Sequence, residues 1–320
     1  MVAETDVVMA YRLLMGREPE NEDVVVKQAQ AHRTIQDLRR EFISSPEFKS
    51  RIGADIVAAD TGHKPLNWPP IGVDVDIDQT SIDRIFGRIE GEFVDLGETE
   101  PHWSVVTEDR FKAANIAQTE ADFFESGRGV VEGLELTAGR CGIDLSSYRS
   151  CFELGCGLGR STVWLAERFP RVYGGDISPL HLRHAGETMR RFARTNVTLL
   201  HLNGLAAYRD LPNFDVFFSI IVLQHNPPPM MKVLLATILE KLNPGGIAYF
   251  QIPTYILNYK FAAAGYLDTA HPARRVEVHC LPQPDLFRII GQAGCELLEV
   301  REDGAVGAAA ISNRLLVRKA

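Results

Sequence analysis

The chain has no run of about 18 apolar residues, the length a helix needs to cross a bilayer. No membrane span is therefore expected. Its first fifteen residues mix acidic and apolar side chains and lack the basic start and apolar stretch of a secretory signal. Cysteine is scarce: Cys141, Cys151, Cys156, Cys280 and Cys295 are the only five among 320 residues, and no two have CxxC spacing. That pattern disfavours a zinc site or a redox dithiol, and no metal is expected. An odd, scattered set of thiols predicts reduced cysteines and a cytoplasmic home. Basic residues are outnumbered, 34 Lys and Arg against 42 Asp and Glu, for a net charge of −8. Nucleic-acid binding depends on Lys and Arg meeting phosphates, so a nucleic-acid partner is not expected. The run Arg183, Arg190, Arg191 and Arg194 reads as a solvated helix face.

Hydrophobic residues make up 45% of the chain and charged residues 24%, enough apolar material for a sizeable core. At roughly 150 residues per domain, one large or two modest domains are expected. Val7, Val8, Tyr11, Leu14 and Met15 recur at helical spacing, with Gly16 as a C-cap and Pro19 as the next start signal. Thr34 with Asp37 resembles a capping box, and Ser45-Pro46 an N-cap followed by the first helical position. Residues 1–60 are therefore read as a helical module. It is similar to a short helical module of unknown function found in many bacterial proteins. A structural role is expected for it, or docking to a protein partner or a second copy. Breakers follow at Thr61-Gly62-His63-Lys64-Pro65 and Trp68-Pro69-Pro70-Ile71-Gly72. Residues 61–125 are read as a linker and a helical cover.

From residue 150 the pattern alternates. Strands are expected at Ser150–Leu154, Arg171–Gly175, Val197–Leu202, Asp215–Leu223, Ile247–Ile252, Glu296–Val300 and Arg314–Arg318. Helices are expected at Arg160–Phe169, Pro179–Arg194, Pro229–Leu242 and Asp285–Ala293. Such alternation predicts an α/β domain over 126–320 with a seven-stranded, mostly parallel doubly wound sheet. The last two strands have no helix between them, so the final one is expected to pair antiparallel. The long stretch 253–284, with Tyr255, Tyr259, Phe261 and Tyr266, reads equally as a substrate lid or as a satellite hydrophobic cluster.

In an open α/β sheet, ligands bind beyond the carboxyl ends of the strands. The first βα turn is Glu153-Leu154-Gly155-Cys156-Gly157-Leu158-Gly159-Arg160. Glycines there allow a tight turn and close approach of a ligand to the backbone. The dinucleotide pattern GxGxxG would need a glycine where Arg160 stands, and the Lys-Ser/Thr pair of a phosphate loop is missing. Asp176 ends the second strand, where a carboxylate can accept both hydroxyls of a ribose. Asn203-Gly204 ends the third strand. Phe214-Asp215-Val216-Phe217-Phe218-Ser219-Ile220 forms an apolar fourth strand with polar groups at its end, up to Gln224-His225-Asn226-Pro227.

These motifs, with Leu242-Asn243-Pro244-Gly245-Gly246 before the fifth strand, resemble the class I S-adenosylmethionine-dependent methyltransferases over residues 120–320. The resemblance implies that Glu153, Gly155, Gly157 and Gly159 face the methionine part of the cofactor. Asp176 holds its ribose and Ile177 packs on adenine. Asn203, standing where the family usually has Asp, contacts adenine beside Gly204, and Ser219 and Ile220 lie near the sulfonium. Phe124, Ser126 and Gly127 resemble a segment that closes over the cofactor carboxylate. The implied activity is methyl transfer to a small-molecule or glycan acceptor, at oxygen. The alternative is a non-catalytic scaffold with the same fold. An oxygen acceptor benefits from a general base. His225 is the first candidate, His279 the second, and His102 beside Trp103 the third. The chain lacks the Asn/Asp-Pro-Pro-Tyr/Phe sequence of amino-methylases after the fourth strand.

Overall fold

The computed structural model describes residues 2–51, 64, 67–269 and 276–320. Packing divides the chain into two units, Met1–Asn67 and Trp68–Ala320. The expected boundary at residue 60, and the breakers Thr61, Gly62, His63 and Pro65, lie outside the described residues.

The first unit is helical: Glu4–Ala10 continues as a wider turn over Tyr11–Met15, followed by Glu22–Ala31, Ile35–Ser44 and Pro46–Arg51. Gly16 ends the first helix with φ 62°, a conformation glycine adopts without steric penalty. The second helix starts later than Pro19 suggests, because the Asn21 side chain accepts the Val24 N–H and caps it there. Thr34 accepts from the Asp37 N–H and Ser45 from the Phe48 N–H, each at 3.1 Å. Val7, Tyr11, Met15, Val25, Leu38 and Phe42 form this unit's own core.

In the second unit, helices Gln79–Thr99, Pro101–Val105 and Ile116–Arg140 precede the sheet. Among the described residues the sheet has seven strands, in the order β4-β3-β2-β5-β6-β9-β8. These are β2 Ser150–Leu154, β3 Arg171–Asp176, β4 Val197–His201, β5 Phe214–Ser219, β6 Leu242–Ile256, β8 Cys295–Glu302 and β9 Ala310–Lys319. The two-residue strands β1 Gly72–Val73 and β7 Lys260–Phe261 pair with each other separately. β9 runs antiparallel to both its neighbours. Both faces of the sheet are covered. Phe152, Phe217 and Phe250 pack on one face with Leu234 and Ile238. Cys151, Val216 and Phe218 pack on the other with Val163 and Leu165. Burial on both faces is why these strands read as apolar runs rather than as alternation.

Chain order reverses between β2 and β5: β3 and β4 continue to one side, β6 to the other. That reversal opens a crevice at the carboxyl ends of β2 and β5, where doubly wound sheets hold ligands.

Three strands, β5, β6 and β9, depart from the expected bounds by four residues or more at one end or both. β5 stops at Ser219 rather than Leu223, and Ile221 takes φ 58°. The Gln251 side-chain oxygen accepts the Ile221 N–H at 3.1 Å, drawing the chain out of the sheet. β6 is longer than expected because it pairs with β5 already at Leu242 and with β9 on to Ile256, with a register shift between Pro253 and Tyr255. Residues Leu205–Arg209, between β4 and β5, form a short helix.

Candidate active site

The glycine loop after β2 is shaped by backbone. Gly155, Gly157 and Gly159 have φ of 71°, 50° and 83°. A side chain on Gly155 would meet Val222 at 2.5 Å, on Gly157 Val105 at 2.6 Å, and on Gly159 Met189 at 2.7 Å. The Gly155 and Cys156 N–H groups both donate to the Gly175 carbonyl, at 2.8 and 3.0 Å, so the loop is tied to the end of β3.

Asp176 completes that tie. One carboxylate oxygen accepts the Gly157 N–H and the other the Ser178 N–H, each at 2.8 Å. Asp176 is buried, 6% exposed, yet it lines a cleft together with the loop. Ser178, not Asp176, caps the following helix. The carboxylate is therefore not committed to a helix end.

Two buried charges of opposite sign share the cleft. Glu153, 4% exposed, accepts from the Thr162 hydroxyl at 2.5 Å, and burial pushes its pKa up to about 7. Arg160, 8% exposed, donates one N–H to Ser126 Oγ at 3.1 Å, while its Nε–H has no partner. Burial lowers the Arg160 pKa. Among the described residues no ion pair joins Arg160 to Glu153. Buried charges are ordinarily paired, and a buried donor left unmade costs roughly 1–3 kcal/mol. Here each faces a space that a ligand can fill. The helix Ile116–Arg140 makes this arrangement possible. At Gly127 a Cβ would lie 2.2 Å from the Arg160 carbonyl, so only glycine lets the helix pass this close. Phe124 accepts from the Trp164 ring N–H at 2.8 Å. Phe124, Ser126 and Gly127 thus support Arg160 and do not themselves line the cleft.

At the opposite end, His225 lines the cleft. Its Nδ1–H donates to the Glu277 carbonyl at 2.8 Å, which leaves the lone pair on Nε2, 3.4 Å from the Gln224 amide nitrogen. Burial pushes its pKa down to about 4. Gln224 is held in turn by Gln251, whose amide donates to Gln224 Oε1 at 3.0 Å and to Ser312 Oγ at 2.6 Å. Ile89, Phe93, Tyr208 and Leu234 add apolar wall.

The cleft brings together Glu153, Gly155, Gly157, Asp176, Ile177, Ile220 and His225. Gly159, Asn203, Gly204, Ser219 and His279 do not line it. Gly159 lies beneath the loop against Met189. Asn203 is exposed, and Gly204 begins the helix Leu205–Arg209. The Ser219 hydroxyl donates to the Leu154 carbonyl at 3.3 Å across the sheet. Both ring nitrogens of His279 are engaged, by Tyr259 OH at 2.6 Å and Glu277 at 3.2 Å. His102 packs edge-on against Phe123, and neither it nor Trp103 lines the cleft. The aromatics of 253–284 pack rather than face the cleft: Tyr255 stacks on Trp68, and Phe261 and Tyr266 surround His279. Residues 270–275 of that stretch lie outside the described residues. Sequence reasoning used Arg160 only to reject a dinucleotide loop, and it missed Ser104 and His181, which also line the cleft. Arg160 carried a signal in its adjacency to the loop. Ser104 carried none.

Comparison with known proteins fits this geometry. Residues 152–246 match the family model described as a methyltransferase domain. The magnesium protoporphyrin IX methyltransferase of Synechocystis, solved with bound S-adenosylhomocysteine, superposes with a TM-score of 0.52. The two are 18% identical, over 74% of this chain and 100% of that one. Residues 152–246 carry a methyltransferase domain, and the fold around them is that of class I methyltransferases. Within this domain the glycine loop and Asp176 occupy the first two βα turns of the matched region. Among curated proteins, the trans-aconitate 2-methyltransferase of Deinococcus radiodurans is 35% identical over 111 residues, 33% of this chain and 38% of that protein. That of Azoarcus is 34% identical over 113 residues, 35% of this chain and 42% of that protein. The chain thus spans about two fifths of the length of the curated relatives it matches.

Proposed function

We propose that the methyltransferase domain binds S-adenosylmethionine in this cleft and transfers its methyl group to a small-molecule acceptor at oxygen. The observation that carries the reading is the pair of buried, mutually unpaired charges, Glu153 and Arg160, beside the Asp176 carboxylate. An amino acid is a zwitterion. Its ammonium suits Glu153 and its carboxylate suits the Arg160 guanidinium with its unpartnered Nε–H. Asp176 suits the hydroxyls of a ribose, and Ile177 offers an apolar surface for a base. These residues fit the cofactor.

S-adenosylmethionine supplies a methyl group already activated on a sulfonium. The chain's part is to hold an acceptor in line with it, a contribution that orientation alone can make worth several kcal/mol. The acceptor oxygen forms a bond to the methyl carbon as the carbon–sulfur bond breaks. The acceptor proton passes to His225 Nε2, the acceptor nitrogen of the ring because Nδ1–H is held by the Glu277 carbonyl, in exchange for its long 3.4 Å contact from the Gln224 amide. The curated relatives are named for a small organic acid, which supports a small-molecule acceptor.

Calorimetry with S-adenosylhomocysteine tests the cofactor, and transfer of a labelled methyl group to a metabolite extract tests turnover. Saturable binding together with label in a small molecule is the expected result. A folded protein that binds no S-adenosylhomocysteine overturns the reading.

A further inference from the structure

The helical cover packs on the cofactor end of the cleft at three points. At Gly97, near the end of helix Gln79–Thr99, a Cβ would lie 2.7 Å from Ser178 Oγ and 3.4 Å from the His181 ring. Val105, at the end of helix Pro101–Val105, sits over Gly157. Between them stands Ser104, 6% exposed, with its hydroxyl 2.9 Å from His181 Nε2. The Ser104 hydroxyl also lies 2.8 Å from the Pro101 carbonyl; turned to the ring instead, its hydrogen is accepted by His181 Nε2, which leaves the ring proton on Nδ1, the nitrogen that faces Asp176. The other ring nitrogen of His181, itself 2% exposed, lies 3.4 Å from the Asp176 carboxylate oxygen that also accepts the Ser178 N–H. Ser104, His181 and Asp176 all line the cleft.

We propose that Ser104 and His181 are positioning residues for the cofactor: the cover, through Ser104 and the His181 ring, fixes the orientation of the Asp176 carboxylate. The assignment rests on reading the cleft as the S-adenosylmethionine site. Its physical content is specific. Asp176 is held on one side by backbone N–H groups from its own loop corner, and on the other by a ring anchored on a helix far away in sequence. A carboxylate held from both sides keeps its free lone pairs aimed one way, so it loses less freedom when a ligand hydroxyl arrives. Cofactor affinity then depends on a side chain that lies outside the matched family region 152–246.

The test is calorimetric titration of S-adenosylhomocysteine into the full-length chain and its variants, with thermal melting to verify folding. Ser104→Ala should weaken binding about tenfold, the size of one hydrogen bond to a charged network. Ser104→Thr, which keeps the hydroxyl, should restore it to within about twofold. In an Asp176→Asn background, Ser104→Ala should cause no further loss, because contacts acting through one group are not additive. A purely structural Ser104 would lower the melting temperature without that coupling. Ser104→Cys, which nearly keeps the volume but hydrogen-bonds weakly, carries the same expectation if Ser104→Ala does not fold. Wild-type affinity in the folded Ser104 variants, or an undiminished loss in the Asp176→Asn background, overturns the assignment alone. Absence of binding by the wild-type chain overturns the cofactor reading, and this assignment with it.

Discussion

The two ends of the cleft are built by opposite means. At the cofactor end, neighbouring turns supply nearly everything: the loop after β2, the carboxylate ending β3, and N–H groups pointing at both. Its shape follows from backbone conformation, with glycine at each left-handed position. At the acceptor end, a side-chain relay brings Ser312, Gln251, Gln224 and His225 together from three separate stretches, with the Glu277 carbonyl holding the ring from a fourth. There the left-handed position is Ile221, a β-branched residue for which that conformation is strained. The first end tolerates little change in its glycines. The second tolerates sequence change but depends on every member of the relay.

Replacing His225 by Asn separates the two ends most sharply. Turnover should fall roughly 10²–10⁴-fold, the range for loss of a general base, with S-adenosylhomocysteine affinity unchanged. Labelled-methyl transfer beside calorimetry measures both, and a matching loss of affinity would merge the two ends into one. The acid limb of the wild-type pH profile should lie near pH 4, where burial holds this ring. Because its folded pKa lies below the ordinary 6.5, the unfolded chain takes up the proton first. His225 therefore lowers stability as pH falls from about 6.5 toward 4, and His225→Asn should be less acid-sensitive in urea melts.

Glu153→Gln tests the buried carboxylate. With a folded pKa near 7 against an ordinary 4.5, the unliganded protein loses stability as pH rises through that window. The variant should be more stable than wild type at pH 8, by at most about 3 kcal/mol, and equal to it at pH 4. Its cofactor affinity should be lower above pH 7. Equal stability at both pH values would mean that burial does not raise the Glu153 pKa.

Gln251→Met removes the anchor of the Ile221 turn and leaves the Ile221 N–H without its acceptor. A loss of about 2 kcal/mol in urea unfolding is expected, with turnover falling more than cofactor affinity. Asp176→Ala reverses that split: affinity should drop by about 1–3 kcal/mol, as for hydrogen bonds to a charged group. Asn203→Ala should change affinity by less than about 0.5 kcal/mol, since the residue is exposed and away from the cleft. A larger effect there would extend the cofactor end to the tip of β4.

How far each end was legible in the sequence follows from the same contrast. The glycine loop and Asp176 stand at strand ends that periodicity locates, and their residue types have few other uses there. Ser219 and Asn203 also stand at strand ends, yet one hydroxyl bonds across the sheet and the other side chain faces solvent. Strand-end position alone does not distinguish these outcomes. His225 and His279 looked alike as histidines after apolar strands. Only the fold showed that one lines the cleft, its Nε2 in a single long contact with the Gln224 amide, while Tyr259 and Glu277 occupy both nitrogens of the other, which lies outside it. The end of β5 was misplaced because Ile220 to Leu223 continue its apolar run, and nothing local reveals that a glutamine on β6 turns the chain away.

The sequence by itself determined the alternation of strands and helices, the antiparallel final strand, and the glycine-and-carboxylate corner. Each is set by local periodicity or by residues a few positions apart. The tertiary structure alone decided that Arg160 is buried with no ion pair among the described residues, that Ser104 reaches Asp176 through His181, and that His225 faces the cleft. Each of these depends on groups brought together across long stretches of chain, where desolvation and hydrogen-bond geometry are set by packing rather than by spacing.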